Sequence, residues 1–178
     1  MVAQDLALLS EQEVKNFLTD NKYNIHLGTI DEKGFPNIHP TWYYFEASNH
    51  KFYVETSKHS KKVSNIRKNE GMYFCVDDPQ PPYKGVRGKG TARIHENIGH
   101  NIPIAEKIMT RYLESLEHPI ARALLNAVKK GEFVILEISP DYYSIWDYRK
   151  SAKCLEILNC SSRYDLHNVT WITSSVRF

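Results

Sequence analysis

A succession of short strand patterns, separated by turn signals, is the feature that most restricts the fold of this chain. Segment 25–29 alternates apolar with polar or small residues, which is the period of a half-buried strand. The turn-forming segment 31–34 follows, and 35–45 is predicted to be the return strand. A further turn and a strand over 51–56 extend the pattern. Short strands joined by tight turns favour antiparallel pairing, so the first half of the chain predicts a meander.

The second half continues the strand pattern and interrupts it with helices. Further strands are predicted over 72–76, 83–96, 133–138 and 142–148. Segment 72–76 is continuously apolar, which is typical of a strand buried on both faces. Helices are predicted from the Ser10–Glu13 capping box to about Asn21, within 58–69, over about 102–116 and over 119–130. This order predicts a mainly β protein with α-helices, whose six or seven antiparallel strands form a nearly closed barrel with the helices packed outside.

Length and composition set the class of protein. The chain has 178 residues, of which 42% are hydrophobic and 25% charged, as in an ordinary globular domain. No run approaches the roughly 18 apolar residues of a membrane span, and the N-terminus lacks a basic signal-peptide region. Three cysteines without tight spacing do not describe a disulfide framework. We therefore expect a cytoplasmic protein with no membrane partner, and the net charge of +2 argues against a nucleic-acid partner.

The most informative polar stretch lies where one predicted strand ends and a helix begins. It carries the hydroxyls of Thr56, Ser57 and Ser60 together with the cations of Lys61 and Lys62. A helix N-terminus presents free N–H groups and the positive end of the helix dipole, which suits a phosphate. A solvated basic face is the alternative interpretation, because most charge runs are simply exposed. Lys107, Arg111 and Arg122, on the later helices, are predicted to face solvent in the same way.

The order of these residues resembles the pyridoxamine 5′-phosphate oxidase-like superfamily. In that family a strand ends in Thr, a Ser-Arg/Lys-Lys triplet follows four residues later, and an Asn closes the ensuing helix. Thr56, Ser60-Lys61-Lys62 and Asn69 have this order. Segment 83–90 resembles the family's long strand with its Arg/Gln-Val-Arg-x-x-Gly pattern, and 142–146 resembles the closing strand. The resemblance covers about 9–149, so it implies a split-barrel, flavin-binding domain over 1–149 and a C-terminal appendage over 150–178 whose order the pattern does not specify.

The resemblance implies a flavin cofactor at a homodimer interface. It places the FMN phosphate at Thr56, Ser57, Ser60, Lys61 and Lys62. It places the flavin ring along the main chain of His39, Pro40, Thr41 and Trp42, with Trp146 covering the ring from the other subunit. Two alternatives stay open, because a strand histidine such as His39 more often makes a structural hydrogen bond, and Trp146 can serve as a core or interface residue without touching cofactor.

Two departures from the family pattern restrict the function. Gly85 stands where many FMN-binding members have a flavin-contacting Gln, and no Arg-x-His follows Trp146, so we do not expect pyridoxine phosphate oxidation. The resemblance then implies an FMN-dependent oxidoreductase acting on an unassigned small molecule. The alternatives are a reductase that uses the deazaflavin coenzyme F420 and a non-enzymatic module that binds flavin or haem, with His39 or His100 as haem ligand.

No catalytic side chain is predicted, because a flavin itself carries the hydride chemistry. No metal site is predicted either, since the eight histidines are scattered and no cysteine pair has zinc spacing.

Overall fold

The computed structural model describes residues 10–148 and the backbone of 174–177. The strands of the described chain are β1 Ile25–Ile30, β2 Pro36–Thr41, β3 Tyr44–Glu46, β4 Lys51–Ser57, β5 Gly71–Asp77, β6 Lys84–His95, β7 Phe133–Asp147 and β8 Ser174–Arg177. Seven of them form one antiparallel sheet in the order β2-β1-β5-β6-β7-β4-β3, and β8 pairs with β7. The sheet curls into a half-barrel, so the prediction of a mainly β split barrel with helices is confirmed.

Four helices of the described chain pack around this sheet. Their bounds are α1 Glu11–Asp20, α2 Lys61–Lys68, α3 Ile98–Leu113 and α4 Pro119–Lys129. Helix α1 begins with the predicted capping box, in which Ser10 and Glu13 bond reciprocally. Helix α3 begins four residues earlier than predicted, because the Asn97 side chain caps it by accepting a hydrogen bond from the His100 N–H at 2.9 Å.

The hydrophobic core has two parts that lie on opposite sides of the sheet. The larger part fills the curve of the half-barrel, where Leu27, Phe52 and Val86 are fully buried. The smaller part lies beneath α3 and α4 and includes Ile108 and Ile135. Alternate residues of β4 serve the two parts, so that strand separates the barrel interior from the helices.

The predicted strand over 35–45 is two strands, β2 and β3, because the chain turns inward at Tyr43. Tyr43 is fully buried, and its hydroxyl donates to the Leu18 carbonyl oxygen at 2.9 Å. The prediction that Arg111 faces solvent is wrong, because its guanidinium packs on the buried Tyr43 ring. The guanidinium lies 4.8 Å from the centre of that ring and donates to three backbone carbonyls at the end of α1.

Two other strand predictions are also corrected. Strand β5 is buried on one face only, since Tyr73 between two buried residues is 65% exposed and no described helix covers it. The two strands predicted over 133–148 are one continuous strand, β7. The register shifts between Lys89 and Gly90, which leaves Asp141 as a bulge that tightens the local twist.

The predicted appendage over 150–178 lies mostly outside the described residues, and its boundary at residue 149 stays a prediction. In the described part of the chain, none of the helices has the length and apolarity that crossing a bilayer requires.

Candidate cofactor site

The N-terminus of α2 has no side-chain cap, unlike that of each other described helix. Ser10, Asn97 and His118 cap α1, α3 and α4, whereas Ser60 makes no capping hydrogen bond to α2. The first N–H groups of any helix have no partner within the helix, so those at the start of α2 stay available to an anion. The C-terminal end of α2 is closed by Asn69, as predicted.

The predicted residues Thr56, Ser60 and Lys62 meet beside this uncapped helix end. The Lys62 ammonium donates to the Thr56 hydroxyl at 3.1 Å, and that hydroxyl donates to the Ser60 hydroxyl at 3.3 Å. Thr56 is buried and Lys62 is half-buried, so these polar groups are partly removed from water and bonded to one another. Burial lowers the pKa of Lys62, and the neighbouring Glu55 carboxylate opposes that shift.

The charge of Lys62 also acts on two further side chains, Glu55 and His39. Burial raises the pKa of Glu55 to about 7, against the opposing influence of Lys62. Burial also lowers the pKa of His39, and Lys62 lowers it further. Among the described residues, neither the Glu55 Oε1 nor the His39 Nε2 has a hydrogen-bond partner, although both atoms are buried. We call His39, Glu55, Thr56, Ser60 and Lys62 the seam cluster.

The seam cluster lies at the opening of the half-barrel. Strand β3 pairs with β4 only as far as Tyr53, so the β4 edge from Val54 to Ser57 has no strand partner on that side in the described chain. Strand β2, which carries His39, is the opposite end strand of the sheet. The cluster therefore combines side chains from β2, β4 and α2. Buried polar atoms without partners, next to an ammonium and free helix N–H groups, are chemically suited to a phosphate ester.

Lys61 and Ser57 have different positions from the other predicted phosphate ligands. The charge of Lys61 acts on the turn between β1 and β2, where it contributes to lowering the pKa values of Asp31 and Glu32. Ser57 shapes the turn before α2, since its hydroxyl accepts from the His59 N–H at 3.3 Å and its carbonyl accepts from the Ser60 N–H at 3.0 Å.

The predicted residues Pro40, Thr41 and Trp42 have different surroundings. Pro40 and Thr41 end β2, opposite His26 and Ile25 of β1. The Trp42 ring instead stacks on Tyr112 of α3, with the ring centres 4.9 Å apart and the planes 8° apart. The role predicted for the main chain of this segment stays a prediction.

Trp146 lies over Gly85 and far along β7 from the seam cluster. A Cβ at Gly85 would lie 2.3 Å from Trp146 Cζ2 and 2.8 Å from the Val76 carbonyl oxygen, so the indole ring occupies the space that a side chain would need. Val134 pairs with Thr56, and Trp146 is twelve residues further along β7, a contour of about 40 Å. Within its own chain, Trp146 is thus far along β7 from the residue that pairs with Thr56.

The profile of the family described as pyridoxamine 5′-phosphate oxidase matches residues 10–147, which is most of the chain and includes every residue of the seam cluster. The chain belongs to this family. No curated protein matches it.

Within the described residues, no three His, Cys, Asp or Glu side chains lie close enough together to hold a metal ion.

Several solved structures share the fold at low sequence identity. A conserved hypothetical protein of Mycobacterium tuberculosis is 22% identical, with a TM-score of 0.71 over 84% of this chain and 92% of that one. An F420 reductase is 22% identical, with a TM-score of 0.57 over 72% of this chain and 94% of that one. HutZ, the haem storage protein of Vibrio cholerae, is 14% identical, with a TM-score of 0.58 over 73% of this chain and 89% of that one.

Sequence reasoning missed Glu55. It directly precedes Thr56, and the period of two in a strand places it on the face that carries Tyr53, where an apolar residue would be expected. A single carboxylate three residues after Phe52, the first buried position of β4, and next to the predicted phosphate-binding residues is the signal that could have identified it.

Proposed function

We propose that the chain binds the phosphate of FMN at the seam cluster and uses the flavin for oxidoreductase chemistry on a small molecule. The observation that carries this proposal is the uncapped start of α2 beside the half-buried Lys62 ammonium. An anion there would meet free helix N–H groups, a cation and two hydroxyls in a partly desolvated setting, where charge-assisted hydrogen bonds are strong.

Each residue of the site has a role that its chemistry allows. Lys62 supplies the positive charge, and Thr56 and Ser60 supply hydroxyls whose hydrogens can turn toward a phosphate oxygen. His39 stays neutral near pH 7 because its pKa is lowered, so its buried Nε2 can donate or accept one hydrogen bond at the flavin ring. When bound, FMN would supply the hydride or electron transfer that these side chains cannot perform.

We also propose that the functional unit is a homodimer. Trp146 is about 40 Å along β7 from the residue that pairs with Thr56, which supports a contact with the flavin ring from a second subunit. An indole face stacks well on a planar aromatic ring, which suits this role.

The deazaflavin coenzyme F420 is the second candidate cofactor. It is supported by the shared fold of a protein described as an F420 reductase, which this chain covers over 94% of its length. Both cofactors carry a phosphate group on the chain attached to the ring, so the seam cluster would have the same role with either.

A titration with FMN tests the phosphate site directly. We expect the purified protein to bind FMN with micromolar or better affinity and to quench its fluorescence. Replacing Lys62 with Ala removes a charge-assisted contact, which is worth about 1.5–3 kcal/mol and corresponds to roughly 10- to 150-fold weaker binding. Riboflavin, which lacks the phosphate, should bind the wild type and the variant equally.

Lys68→Ala is the matched control for this experiment. Lys68 is at the other end of α2, is exposed and pairs with Glu32, so its removal should leave FMN affinity unchanged. Coenzyme F420 and haemin are titrated in parallel. Binding of haemin alone would contradict the proposal, and equal FMN binding by wild type and Lys62→Ala would show that the phosphate lies elsewhere.

A further inference from the structure

Glu55 is a buried carboxylate that interacts electrostatically with Lys62, the cation that would hold the cofactor phosphate. Its Oε1 is buried without a hydrogen-bond partner among the described residues, whereas Lys62 donates to the Thr56 hydroxyl at 3.1 Å. A buried carboxylate normally accepts hydrogen bonds or pairs closely with a cation. Glu55 does neither completely, so its charge is poorly stabilised where it lies.

The charged groups around Glu55 come from few elements. Lys62, from α2, is the charged group in the described chain that acts on it. Ile135, opposite Glu55 in β7, is apolar and fully buried. From β2, His39 shares the influence of Lys62 and is neutral near pH 7. Lys62 is thus the neighbouring charge that favours ionised Glu55, against the effect of burial.

Lys61 gives the site less additional positive charge than the sequence indicates. Its ammonium acts on Asp31 and Glu32 in the turn between β1 and β2. An anion that approaches Lys62 meets a cation whose charge already acts on Glu55. Two negative groups that interact with the same half-buried ammonium repel each other strongly, because screening by water is weak there.

We propose that binding of a phosphate ester at the seam cluster transfers one proton from solvent to a carboxylate oxygen of Glu55. The phosphate then pairs with the Lys62 ammonium, and neutral Glu55 no longer repels the phosphate. No bond of the ligand is made or broken. This inference rests on the proposed function, and it makes Glu55 the residue that sets the charge state in which the cofactor phosphate is accepted.

The ionisation of Glu55 in the free protein determines how the Kd for FMN changes with pH. The pKa of Glu55 is raised to about 7, so above that pH the group is ionised and binding must take up a proton. The Kd for FMN should then rise with pH, by up to ~10-fold per pH unit for one proton. The second ionisation of a phosphate monoester, with a pKa near 6, acts in the opposite direction because it increases the ligand's charge.

Calorimetric titration of the full chain with FMN measures the proton directly. Performed at pH 7.5 in two phosphate-free buffers of different ionisation enthalpy, it should give an uptake of about 0.5–0.8 proton per FMN bound. Riboflavin should give no uptake, since it lacks the phosphate. In Glu55→Gln the uptake with FMN should disappear, and at pH 8.5 this variant should bind FMN about 10-fold more tightly than the wild type.

Glu117→Gln is the control, because that carboxylate lies in the loop between α3 and α4 with its side chain 77% exposed. It should keep the wild-type proton uptake. No uptake in the wild type, or the same uptake in Glu55→Gln, would overturn the inference while leaving the FMN site intact. The latter result would assign the proton to Lys62, whose pKa is lowered by burial. Failure of the wild type to bind FMN would instead refute the proposed function itself.

Discussion

Arg111 connects three parts of the molecule through one guanidinium group. Its Nη2 donates to the Leu18 carbonyl oxygen at 2.7 Å, and further N–H groups donate to the carbonyls of Thr19 and Asn21. The last carbonyls of a helix have no partner within the helix, so Arg111 satisfies the end of α1 from α3. Its planar face lies over Tyr43, which is the residue that turns the chain between β2 and β3.

Truncation of Arg111 should therefore destabilise the whole domain. Arg111→Ala leaves three carbonyls without their charged donor, and we expect the free energy of unfolding to fall by about 2–4 kcal/mol. Arg111→Lys keeps the charge but not the forked geometry, so it should recover less than half of that loss. Urea denaturation, read by circular dichroism at constant m-value, measures both changes.

Arg122→Ala is the corresponding control, because Arg122 pairs with Glu117 on the surface and is 66% exposed. An exposed ion pair is worth about 0–1 kcal/mol, so this variant should unfold close to the wild type. Equal losses for Arg111→Ala and Arg122→Ala would contradict the role assigned to Arg111.

The candidate site shows which residues a sequence can identify at this scale. Thr56, Ser60 and Lys62 could be predicted because the loop between a strand and a helix keeps them close in sequence and in space. Arg111 could not, since its carbonyl acceptors lie about 90 residues away and nothing in a helical charge pattern distinguishes such an arginine from a solvated one.

At the scale of elements, one buried hydrogen bond fixes α2 against the sheet. The Asn65 side-chain amide donates to the Thr29 hydroxyl at 2.9 Å, joining the middle of α2 to β1. Asn65 and Thr29 are both buried, so each would be left with an unsatisfied polar group if the other were removed. Because α2 carries Lys62 and the uncapped N-terminus, this bond also sets the position of the phosphate site.

A double-mutant cycle on this pair should show strong coupling. Asn65→Ala and Thr29→Val should each cost about 1–3 kcal/mol, and the double variant should cost less than their sum by about 1 kcal/mol. The measurement is equilibrium unfolding in urea, combined with FMN titration of Asn65→Ala, whose affinity should fall as α2 shifts.

The control cycle pairs Asn65→Ala with Ser10→Ala. Ser10 caps α1 and shares no partner with Asn65, so the two losses should add within about 0.5 kcal/mol. Additivity in the Thr29 pair as well would mean that the buried bond does not hold α2 in place.

The elements were predictable where a local pattern decides them. The capping box gave the start of α1, and the period of two gave β1, because both depend on neighbouring residues. Local patterns were misleading where distant residues decide the structure. The break at Tyr43 depends on a hydrogen bond to Leu18, and the exposed face of β5 depends on which elements cover it. The apolar run over 72–76 contains no information about either.

At the scale of the whole molecule, the outer face of β2, β1 and β5 is an exposed apolar surface. Ile38 and Tyr73 lie on either side of Gly28 in the strand register and are 71% and 65% exposed. Phe35, just before β2, is exposed as well. Apolar side chains gathered on one face of a monomer are typical of a protein–protein contact. This face gives the proposed homodimer a surface that two identical subunits can share.

A charge placed in this apolar surface should separate the subunits. In Ile38→Glu, dimer formation would bury a carboxylate without a partner, so we expect a monomer where the wild type is a dimer. Sedimentation velocity over a range of protein concentrations measures the change. Because Trp146 is predicted to reach the flavin of the other subunit, the monomer should also bind FMN at least 10-fold more weakly.

Ile120→Glu tests whether any exposed isoleucine would have the same effect. Ile120 lies on α4, away from the β2–β1–β5 face, and its side chain is also exposed, at 49%. This variant should stay dimeric and keep wild-type FMN affinity. A wild-type monomer, or an Ile38→Glu variant that remains dimeric with full FMN affinity, would contradict the shared site. The seam cluster belongs to one subunit. If the dissociated monomer still binds FMN with full affinity, the phosphate site therefore stays valid, and Trp146 is not part of the cofactor site.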